Sequence, residues 1–503
     1  MTHAVVLGAG MAGLLAARVL SEFYDEVTVV ERDRLPDSSI QRRGIPQGRH
    51  LHSFLSRGCQ LLDQFFPGIL DELVDSGAHA VDDGDLSRVY TRLGAYGMNR
   101  SEKFADPAAM VFYLASRPFV EFHVRRRVAD LHNVKIVDHH AITEPTVITR
   151  DRINGVLLVR RDTGERTTLE ADLVVDAMGR AARTPAFLES LGYDRPAEER
   201  SAANWAYSSQ LLRIPAGAIT EKMLLIESGN GLPRAGLVAN EHDTWILTVG
   251  RRAAEDDPPT DLAGMLALAE QCMPRSILAA LRSAQPLDNV AIFRNTGGLW
   301  RRYDRMQDFP AGLLVIGDAL CSLNPIYGQG MTMAALEAVA LQEYLRDGGE
   351  EPQRFFRAVA THIGPTWAMN QARDGVPSSA EGRRSLRTRL MTWTMSKALK
   401  TAENDIVLTE RFMRVAHLVD PPSALQDPAL IARVIVGSLR RRGSFSAPSI
   451  PASVREMSAN VGVSAYRHAQ SRKWGRRFRA STRRSWCTTA RLARRRVARA
   501  VAR

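Results

Sequence analysis

Cysteine is scarce in this sequence, and the few cysteines present form no recognisable pattern. The chain has four, namely Cys59, Cys272, Cys321 and Cys487. No two of them make a CxxC pair, and their spacing is not that of metal ligands. The scatter therefore favours reduced, mostly buried thiols over a disulfide framework or a zinc site.

Long hydrophobic runs are also missing. No apolar stretch reaches the roughly 18 to 20 residues that cross a bilayer. The segment from His3 to Gly8 reads as a buried strand, with no basic region or cleavage site before it, so we expect no signal peptide. The 503 residues, 45% hydrophobic and 24% charged, suit two or three packed globular units. We expect the protein to be cytoplasmic.

Acidic residues are absent from the last part of the chain, which accounts for the net positive charge of the protein. The formal net charge is +12, yet Arg467 to Arg503 alone hold 14 Lys and Arg and no Asp or Glu. Without that segment the charge falls to −2, so the basicity belongs to a tail and gives no sign of a specific nucleic-acid partner. Such a run is usually a solvated segment, although its aromatic residues leave peripheral membrane contact open.

A glycine-rich turn stands at the start of the chain. Ala4 to Leu7 are apolar, Gly8-x-Gly10-x-x-Gly13 follows, and a helix and a second strand ending at Glu31 complete a βαβ unit. Glycines at these positions allow a tight turn, a close approach to a pyrophosphate, and close packing of helix on strand. A carboxylate after the second strand suits ribose hydroxyls. The pattern predicts dinucleotide binding, with an ordinary glycine-rich βαβ turn as the alternative.

A second glycine loop lies near residue 320. A buried strand ends in Gly317-Asp318, and Asn324-Pro325-x-x-Gly328-x-Gly330 leads into a helix that begins near Met331. A carboxylate here suits the ribityl chain of a flavin. The backbone amides of a helix start suit the electron-accepting edge of the reduced flavin ring. This loop favours FAD over NAD, against the plain reading of a strand and helix joined by a Gly/Pro loop.

The string GDALCSLNPIYGQGM resembles the corresponding region of the FAD-dependent aromatic hydroxylases, the group A flavoprotein monooxygenases. The resemblance assigns Asp318 to the ribityl chain, and Pro325, Gly328 and Gly330 to the surroundings of the flavin ring. The segment from Asp172 to Arg180 resembles the family's Asp-Gly segment but departs from it, because it reads Asp-Ala-Met-Gly. Its role in binding FAD or nicotinamide therefore stays open.

A closer resemblance is to bacterial flavin epoxidases that act on polyene polyketides in polyether biosynthesis. It rests on RGIPQGRHLH from Arg43 to His52, on DLVVDAMGR and on NPIYGQGM, and it extends from residue 1 to about 440. It implies that Arg49 and His50 lie by the cofactor and that Arg117 opens a helix facing its phosphates. The full set of predicted cofactor-binding residues is Gly8, Gly10, Gly13, Glu31, Arg32, Arg49, His50, Arg117, Asp318, Pro325, Gly328, Gly330 and Met331.

Some of these residues have simpler interpretations. His50 and His52 form a His-x-His pair, but no third ligand stands at a fitting spacing, so we expect no metal. Both are otherwise surface or capping side chains, and Arg117 is otherwise a solvated helix residue. There is no second GxGxxG for a separate NADPH domain. The WxWxIP string of flavin halogenases and the FxGxxxHxxxW string of Baeyer–Villiger enzymes are also absent.

The order of the motifs predicts an α/β fold in which a Rossmann-like FAD-binding domain, of the glutathione-reductase type, is discontinuous. An antiparallel β-sheet substrate domain is inserted into it, and a helical region follows. The predicted FAD-binding domain comprises 1–80, 111–180 and 290–350, and the substrate domain comprises 81–110 and 181–289. The helical region is 351–440, and a linker and basic tail occupy 441–503. Residues from about 200 to 250 are the predicted wall of the substrate site.

The function that these features predict is an FAD-dependent monooxygenase. NADPH or NADH would reduce the flavin, O2 would add to form a C4a-hydroperoxide, and one oxygen atom would pass to a small lipophilic substrate by epoxidation or hydroxylation. No protein nucleophile is needed, and no catalytic residue is assigned. A flavin-dependent reductase of isoprenoid double bonds and a non-catalytic flavin-bound scaffold are the alternatives.

Overall fold

The structure is a computed structural model. It describes residues 1–201, 205–228, 232–252, 257–295, 297–374 and 386–440. The predicted linker and basic tail, 441–503, lie outside the described residues, as does Cys487.

The strands of the described residues alternate with helices in the first third of the chain and then cluster between 198 and 252. In chain order the strands are β1 (His3–Leu7), β2 (Glu26–Val30), β3 (His79–Val81), β4 (Val89–Leu93), β5 (Tyr96–Gly97), β6 (Phe112–Leu114), β7 (Val134–Val137), β8 (His140–Thr149), β9 (Arg152–Arg160), β10 (Arg166–Glu170), β11 (Leu173–Asp176), β12 (Glu198–Arg200), β13 (Trp205–Arg213), β14 (Met223–Glu227), β15 (Arg234–Ala239), β16 (Thr244–Arg252), β17 (Gln285–Pro286), β18 (Ala291–Asn295), β19 (Leu299–Arg301), β20 (Leu313–Val315) and β21 (Cys321–Ser322).

The α-helices of the described residues are concentrated at the two ends of this part of the chain. They are α1 (Met11–Leu20), α2 (Ser56–Phe65), α3 (Ile69–Asp75), α4 (Arg117–Ala129), α5 (Thr184–Ser190), α6 (Leu262–Ala269), α7 (Arg275–Arg282), α8 (Gly330–Arg346), α9 (Pro352–Asp374), α10 (Leu386–Ala402), α11 (Ile406–Ala416) and α12 (Pro428–Arg440).

A parallel sheet of five strands, in the order β20-β11-β1-β2-β7, carries the glycine-rich motifs. Its central strand β1 pairs with β11 on one side and β2 on the other. The apolar residues of β1 are almost wholly buried, as in sheets that are covered on both faces. Because parallel strands end at the same edge, the turns after β1, β11 and β20 meet there. These turns contain Gly8, Ala177 and Gly317.

Helices α1 and α8 pack against each other within the same core as this sheet. Leu14 and Leu15 of α1 and Leu341 of α8 are wholly buried. Truncating such a leucine to alanine costs about 2–5 kcal/mol of stability. This packing fixes the first turns of both helices at the edge of the sheet where the glycine motifs lie.

The second large sheet has eight strands, in the order β17-β13-β16-β15-β14-β4-β5, with β18 also pairing on β13. All its neighbours are antiparallel except β14 and β4. One face packs on α6 and α7 through Leu212, Leu237 and Leu247. Because side chains alternate along a strand, the opposite face carries a different set. That set includes Trp205, Tyr207, Ser209, Arg234, Thr248 and Phe293.

Three smaller sheets and the C-terminal helices complete the described part. The small sheets have the orders β10-β9-β8, β12-β19-β21 and β3-β6. Helix α9 packs along α8, and α10 contacts both α11 and α12. No described helix is both long enough and apolar enough to cross a bilayer.

The predicted α/β architecture, with a parallel sheet, an antiparallel sheet and helices toward the C-terminus, is confirmed. The sequence from Asp261 to Leu281 predicts helical structure, and the structure has two helices there, α6 and α7, separated by a break that ends at Pro274. Proline at this point cannot continue a helix, since it lacks an N–H and clashes with the preceding turn. Strand β8 was not predicted. The domain boundaries stay predictions.

Candidate functional site

The first glycine turn is closed by backbone packing. Gly8 has a φ of 104°, and a Cβ there would lie 2.8 Å from the carbonyl oxygen of Ala177. A Cβ at Gly13 would lie only 1.9 Å from the carbonyl oxygen of Gly8. Gly10, which precedes helix α1, has no side chain to cap the first amides of the helix. By contrast, the nearest atom to a Cβ on Gly10 is 3.8 Å away, so space opens in front of these amides.

Glu31 is held by the protein itself. Its Oε2 accepts a hydrogen bond from the Ala9 amide at 2.9 Å, and its Oε1 accepts one from the Asp33 amide at 3.0 Å. The guanidinium of Arg42 lies 3.0 Å from Oε2. A carboxylate has about four acceptor positions, so ribose hydroxyls remain able to bind. The structure thus gives Glu31 a second task, which is to fix the glycine turn.

Arg42 joins this turn to helix α4, and sequence reasoning missed it. Its Nε donates to Glu121 at 2.8 Å and its Nη2 donates to the Ala9 carbonyl at 2.9 Å. Glu121 also lies 3.8 Å from the Nε of Arg117, the first residue of α4. That Nε is buried and has no hydrogen-bond partner. Arg117 opens the helix as predicted, and its buried Nε forms an ion pair with Glu121 without a hydrogen bond.

Asp318 lies in the turn after β20. Gly317, with a φ of 63°, packs so closely on α1 that a Cβ there would lie 2.6 Å from the Cβ of Ala12. Burial raises the pKa of the Asp318 carboxyl, while the charges of Arg117 and Arg180 oppose the rise. The described residues donate no hydrogen bond to this carboxylate. Two of the predicted residues, Asp318 and Arg117, thus come together beside the first glycine turn.

Glu337 supports the same turn from helix α8. Its Oε2 accepts a hydrogen bond from the Gly317 amide. Burial, together with the nearby charge of Asp318, raises the pKa of Glu337 to about 8. Its Oε1 has no hydrogen-bond partner. Glu337 is the one charged residue in the otherwise apolar stretch from Met333 to Leu341 of helix α8, a signal that the sequence offers.

The second glycine loop is anchored from behind by helix α9. Asp374 accepts from the Asn324 side chain at 3.0 Å and from the Tyr327 hydroxyl at 2.7 Å. Asn370 donates to Gln329 at 2.7 Å. Sequence reasoning predicted neither Asp374 nor Asn370, because each lies more than 40 positions from its hydrogen-bond partner in sequence.

The loop itself has the geometry that its sequence predicts. Pro325 begins a short turn, and Gly328 has a φ of 64°, a left-handed conformation that favours glycine. Gly330 begins α8, and a Cβ there would have nothing within 4 Å. Met331 is buried in the core below. The start of α8 is therefore open to a ligand, with Met331 acting as packing.

The segment from Arg49 to Ser53 connects the antiparallel sheet to this loop. His50 bonds through Nδ1 to the Ser209 hydroxyl at 2.9 Å, and its ring packs edge-on against Tyr207. A Cβ on Gly328 would lie 3.5 Å from the carbonyl oxygen of Ser53. The structure thus places His50 against the predicted substrate wall. Arg49 is exposed, and so is Arg32.

Two histidines of this segment are electrically neutral near pH 7. Burial and the charge of Arg49 lower the pKa of His50 to about 4. Burial and the charge of Arg117 lower the pKa of His52 to about 3. The influence of Arg117 indicates that His52 lies near this guanidinium, and His52 is not among the predicted cofactor-binding residues. The described residues contain no group of three or more metal-ligating side chains.

The middle motif has a structural task. Asp176 is wholly buried, accepts from the Met178 amide at 2.9 Å and also accepts from the Thr184 hydroxyl. Arg180 donates to the Gly297 carbonyl at 2.7 Å and lies near Asp318. The segment thus closes the edge of the parallel sheet. Cys59, Cys272 and Cys321 are free and buried, which confirms that prediction for the described cysteines.

Comparison with known sequences gives one strong relative and more distant ones. No protein-family model matches the chain. Protein Rv3254 of Mycobacterium tuberculosis is 38% identical over 455 residues, which cover 87% of this chain and 94% of that protein. Kynurenine 3-monooxygenase of Salinispora tropica is 27% identical over 370 residues, which cover 68% of this chain and 72% of that enzyme.

Solved structures share the fold over most of the chain. A flavoprotein/dehydrogenase from Cytophaga hutchinsonii has a TM-score of 0.62 at 14% identity. The match covers 88% of this chain and 100% of that protein's chain. The flavin-dependent brominase Bmp2 has a TM-score of 0.59 at 14% identity, with coverage of 88% and 100%. The p-nitrophenol 4-monooxygenase PnpA from Pseudomonas putida has a TM-score of 0.57 at 16% identity, with coverage of 84% and 100%.

At these identities the structural likeness shows the fold alone, and that fold is the one shared by FAD-binding monooxygenases and halogenases. The likeness to the mycobacterial protein is stronger, because its sequence identity is 38% over 87% of this chain and 94% of that protein. The chain therefore belongs to the family of Protein Rv3254.

Proposed function

We propose that the protein is an FAD-dependent monooxygenase. It inserts one oxygen atom from O2 into a lipophilic organic substrate, by epoxidation of an alkene or by hydroxylation, and takes electrons from NADPH or NADH. The observation that carries the proposal is the half-buried carboxylate of Asp318, which accepts no hydrogen bond from the described residues, follows the turn that packs on helix α1, and lies near the charge of Arg117. Closeness to polyether epoxidases and a role in secondary metabolism belong to the same proposal.

The polar atoms around the first glycine turn fit the pyrophosphate and ribityl parts of FAD. A polar group that leaves water without gaining a hydrogen-bond partner costs about 1–3 kcal/mol, so the Asp318 carboxylate, which accepts no hydrogen bond from the described residues, favours a polar ligand. Asp318 would accept from ribityl hydroxyls. Arg117 and the free amides at the start of α1 would bind phosphate oxygens in front of Gly10.

The second glycine loop fits the ring end of the cofactor. The open start of α8 at Gly330 presents backbone N–H groups and the positive end of the helix dipole, which stabilise negative charge. When bound, FAD would supply the electron transfer and oxygen activation. The protein binds and orients the two ends of the cofactor, and it shields the ring with the segment from Arg49 to Ser53.

The antiparallel sheet supplies a wall suited to a lipophilic substrate. Tyr207 and Phe293 have ring centroids 5.3 Å apart, and His50 packs against both. Since the lowered pKa keeps His50 neutral, this wall carries no charge at that point. The exclusion of water by such a surface favours oxygen transfer to the substrate over loss of the oxidising species.

The test begins with the absorption spectrum of the purified protein and its flavin content. NADPH and NADH oxidation and O2 consumption are then followed with a panel of polyenes and phenols, and products formed under 18O2 are analysed by mass spectrometry. We expect one labelled oxygen atom in the product. Asp318→Ala should lose FAD, whereas Asp308→Ala, an exposed control on a nearby loop, should retain it.

The same experiment separates the alternatives. A reductase of isoprenoid double bonds would turn over without oxygen and give unlabelled product. A non-catalytic scaffold would bind FAD, but NADPH and NADH would not reduce the flavin under argon. A chain that neither contains FAD nor binds it when it is added would overturn the proposal.

A further inference from the structure

Arg234 begins strand β15 on the face of the antiparallel sheet that looks away from α6 and α7. It lies opposite Gly250 of β16. Its guanidinium carbon is 4.2 Å from the ring centroid of Trp205 and 5.8 Å from that of Tyr327, which belongs to the second glycine loop. The side chain thus sits between the predicted substrate wall and the loop that would face the flavin ring.

The guanidinium of Arg234 has donors that the protein does not use. Its Nε and Nη1 are fully buried and have no hydrogen-bond partner. Its Nη2 is not one of these buried atoms, so this nitrogen is the part of the guanidinium that a ligand can reach. Each edge of the guanidinium therefore pairs the reachable Nη2 with one unsatisfied, desolvated N–H group. Two oxygens of one planar acceptor would satisfy such an edge.

Two carboxylates near Arg234 and Tyr327 limit the negative charge that a ligand can bring. Glu227 accepts a hydrogen bond from Arg373, and Asp374 accepts from Asn324 and Tyr327. The nearby Arg373 and Arg234 hold the pKa of Glu227 below its usual range, so this carboxylate stays ionised. A dianion such as a phosphate monoester would be repelled by Glu227 and Asp374, whereas a monoanion would not be repelled to the same degree.

We propose that Arg234 binds a carboxylate of the substrate, so that the substrate is a lipophilic organic acid whose apolar body lies against Trp205, Tyr207 and Phe293. The inference rests on the proposed function and narrows its substrate class. A guanidinium stacked on an aromatic ring is held in a fixed plane, which prepares it for a planar carboxylate and less for a single hydroxyl. If Arg234 instead binds a neutral oxygen acceptor of the substrate, the test below shows no preference for an acid over its amide.

The probes are trans-cinnamate and trans-cinnamamide, which have the same shape and differ in charge. Each is titrated into the FAD-loaded protein, with the flavin absorption band and tryptophan fluorescence as readouts. We expect cinnamate to bind at least about tenfold more tightly than cinnamamide, the difference that one charge-assisted pair supplies. In Arg234→Met the ratio of the two dissociation constants should fall to about one. Arg234→Lys should keep part of the preference for cinnamate, because lysine retains the positive charge.

The control variant is Arg252→Met. Arg252 lies over the same Trp205 ring, at 5.9 Å, but has no buried nitrogen without a partner. It should keep the preference for cinnamate. Arg234→Gln serves as a second variant if Arg234→Met contains less FAD than the wild type.

Equal binding of the two probes by the wild type, no binding of either, or a preference that survives in Arg234→Met and Arg234→Gln would each overturn the assignment. Flavin content and NADPH and NADH oxidation are measured on the same preparations. A yellow, reducible protein without the acid preference rejects this inference alone. A protein that binds no FAD rejects the proposed function, and tryptophan fluorescence still reports whether Arg234 binds the acid.

Discussion

Single glycines in the first turn have separable tasks, although the motif presents them as one unit. A Cβ on Gly13 collides with the backbone of Gly8, whereas a Cβ on Gly10 meets no protein atom closer than 3.8 Å. We expect Gly13→Ala to lower the thermal midpoint and to impair FAD binding with it. Gly10→Ala should keep the wild-type circular dichroism and midpoint yet weaken FAD binding by about tenfold or more, because the methyl group occupies the phosphate position. If Gly10→Ala bound FAD as tightly as the wild type, the phosphate of FAD would not lie in front of Gly10.

A buried histidine sets a pH dependence of stability that is independent of the cofactor. The Nδ1 of His417 accepts from the Ser56 amide at 3.2 Å, and burial lowers its pKa to about 4. The unfolded chain, with a pKa near 6.5, then binds more protons than the folded one between these values. The stabilisation is complete above about pH 6.5 and is lost as the pH falls toward 4, by on the order of 3 kcal/mol.

We expect His417→Asn to reduce this loss, because asparagine can accept the same amide without titrating. The free energy of unfolding, measured by urea at pH 7 and pH 5, should differ less in the variant than in the wild type. His132→Asn is the control, since His132 is exposed. An unchanged difference in His417→Asn would show that other groups carry the pH dependence.

At the scale of elements, α9 fixes the second glycine loop through Asp374. Removing this acceptor takes away the hydrogen bonds that Asp374 accepts from Asn324 and Tyr327, and an unbonded Tyr327 hydroxyl in this buried position costs about 1–3 kcal/mol. We expect Asp374→Ala to weaken FAD binding while leaving the parallel sheet folded, and Asp374→Asn to have a smaller effect. Flavin release during gel filtration and the far-ultraviolet spectrum provide the measurements. Asp347 is an exposed residue after α8, and the control variant Asp347→Ala should behave as wild type. If Asp374→Ala retained as much flavin as the wild type, Asp374 would not fix the second glycine loop.

Sequence reasoning succeeded where the information is local. The glycine turn, Asp318 and the helix that opens at Arg117 each lie within one short pattern, and the structure has the predicted elements. Strand β8 escaped prediction because it contains Pro145 and pairs with β9 through irregular register. Arg42, Asn370 and Asp374 escaped because their partners are far away in sequence, so no spacing could reveal them.

At the scale of the whole molecule, the site is assembled from segments that the chain visits at widely separated points. Gly8 to Gly13, the turn at Asp318 and the start of α8 meet because β1 and β20 end at one edge of the same sheet. The segment carrying His50 then reaches the antiparallel sheet. The part of the chain that holds this site, residues 1–466, has a formal net charge of −2, and the net positive charge of the protein comes from the residues that follow it in sequence.

That charge distribution predicts peripheral binding to anionic membranes through the basic tail. Each Lys or Arg near an anionic surface contributes about 1 kcal/mol, screened as the Debye length falls to about 3 Å at 1 M salt. We expect the full chain to sediment with phosphatidylserine-containing vesicles at low salt, and not with pure phosphatidylcholine vesicles. The triple substitution of Arg494, Arg495 and Arg496 by Gln should weaken binding by roughly a hundredfold or more.

The matched control removes the same number of charges from the body, by replacing the exposed residues Arg166, Arg183 and Arg213 with Gln. If position matters, this variant binds anionic vesicles nearly as the wild type does, since those arginines stand outside the tail. If the two triple variants weaken binding equally, overall net charge governs the interaction and the tail has no special part in it. Binding that survives 1 M salt would reject an electrostatic mechanism altogether, because screened charges at that ionic strength no longer hold a protein on a surface.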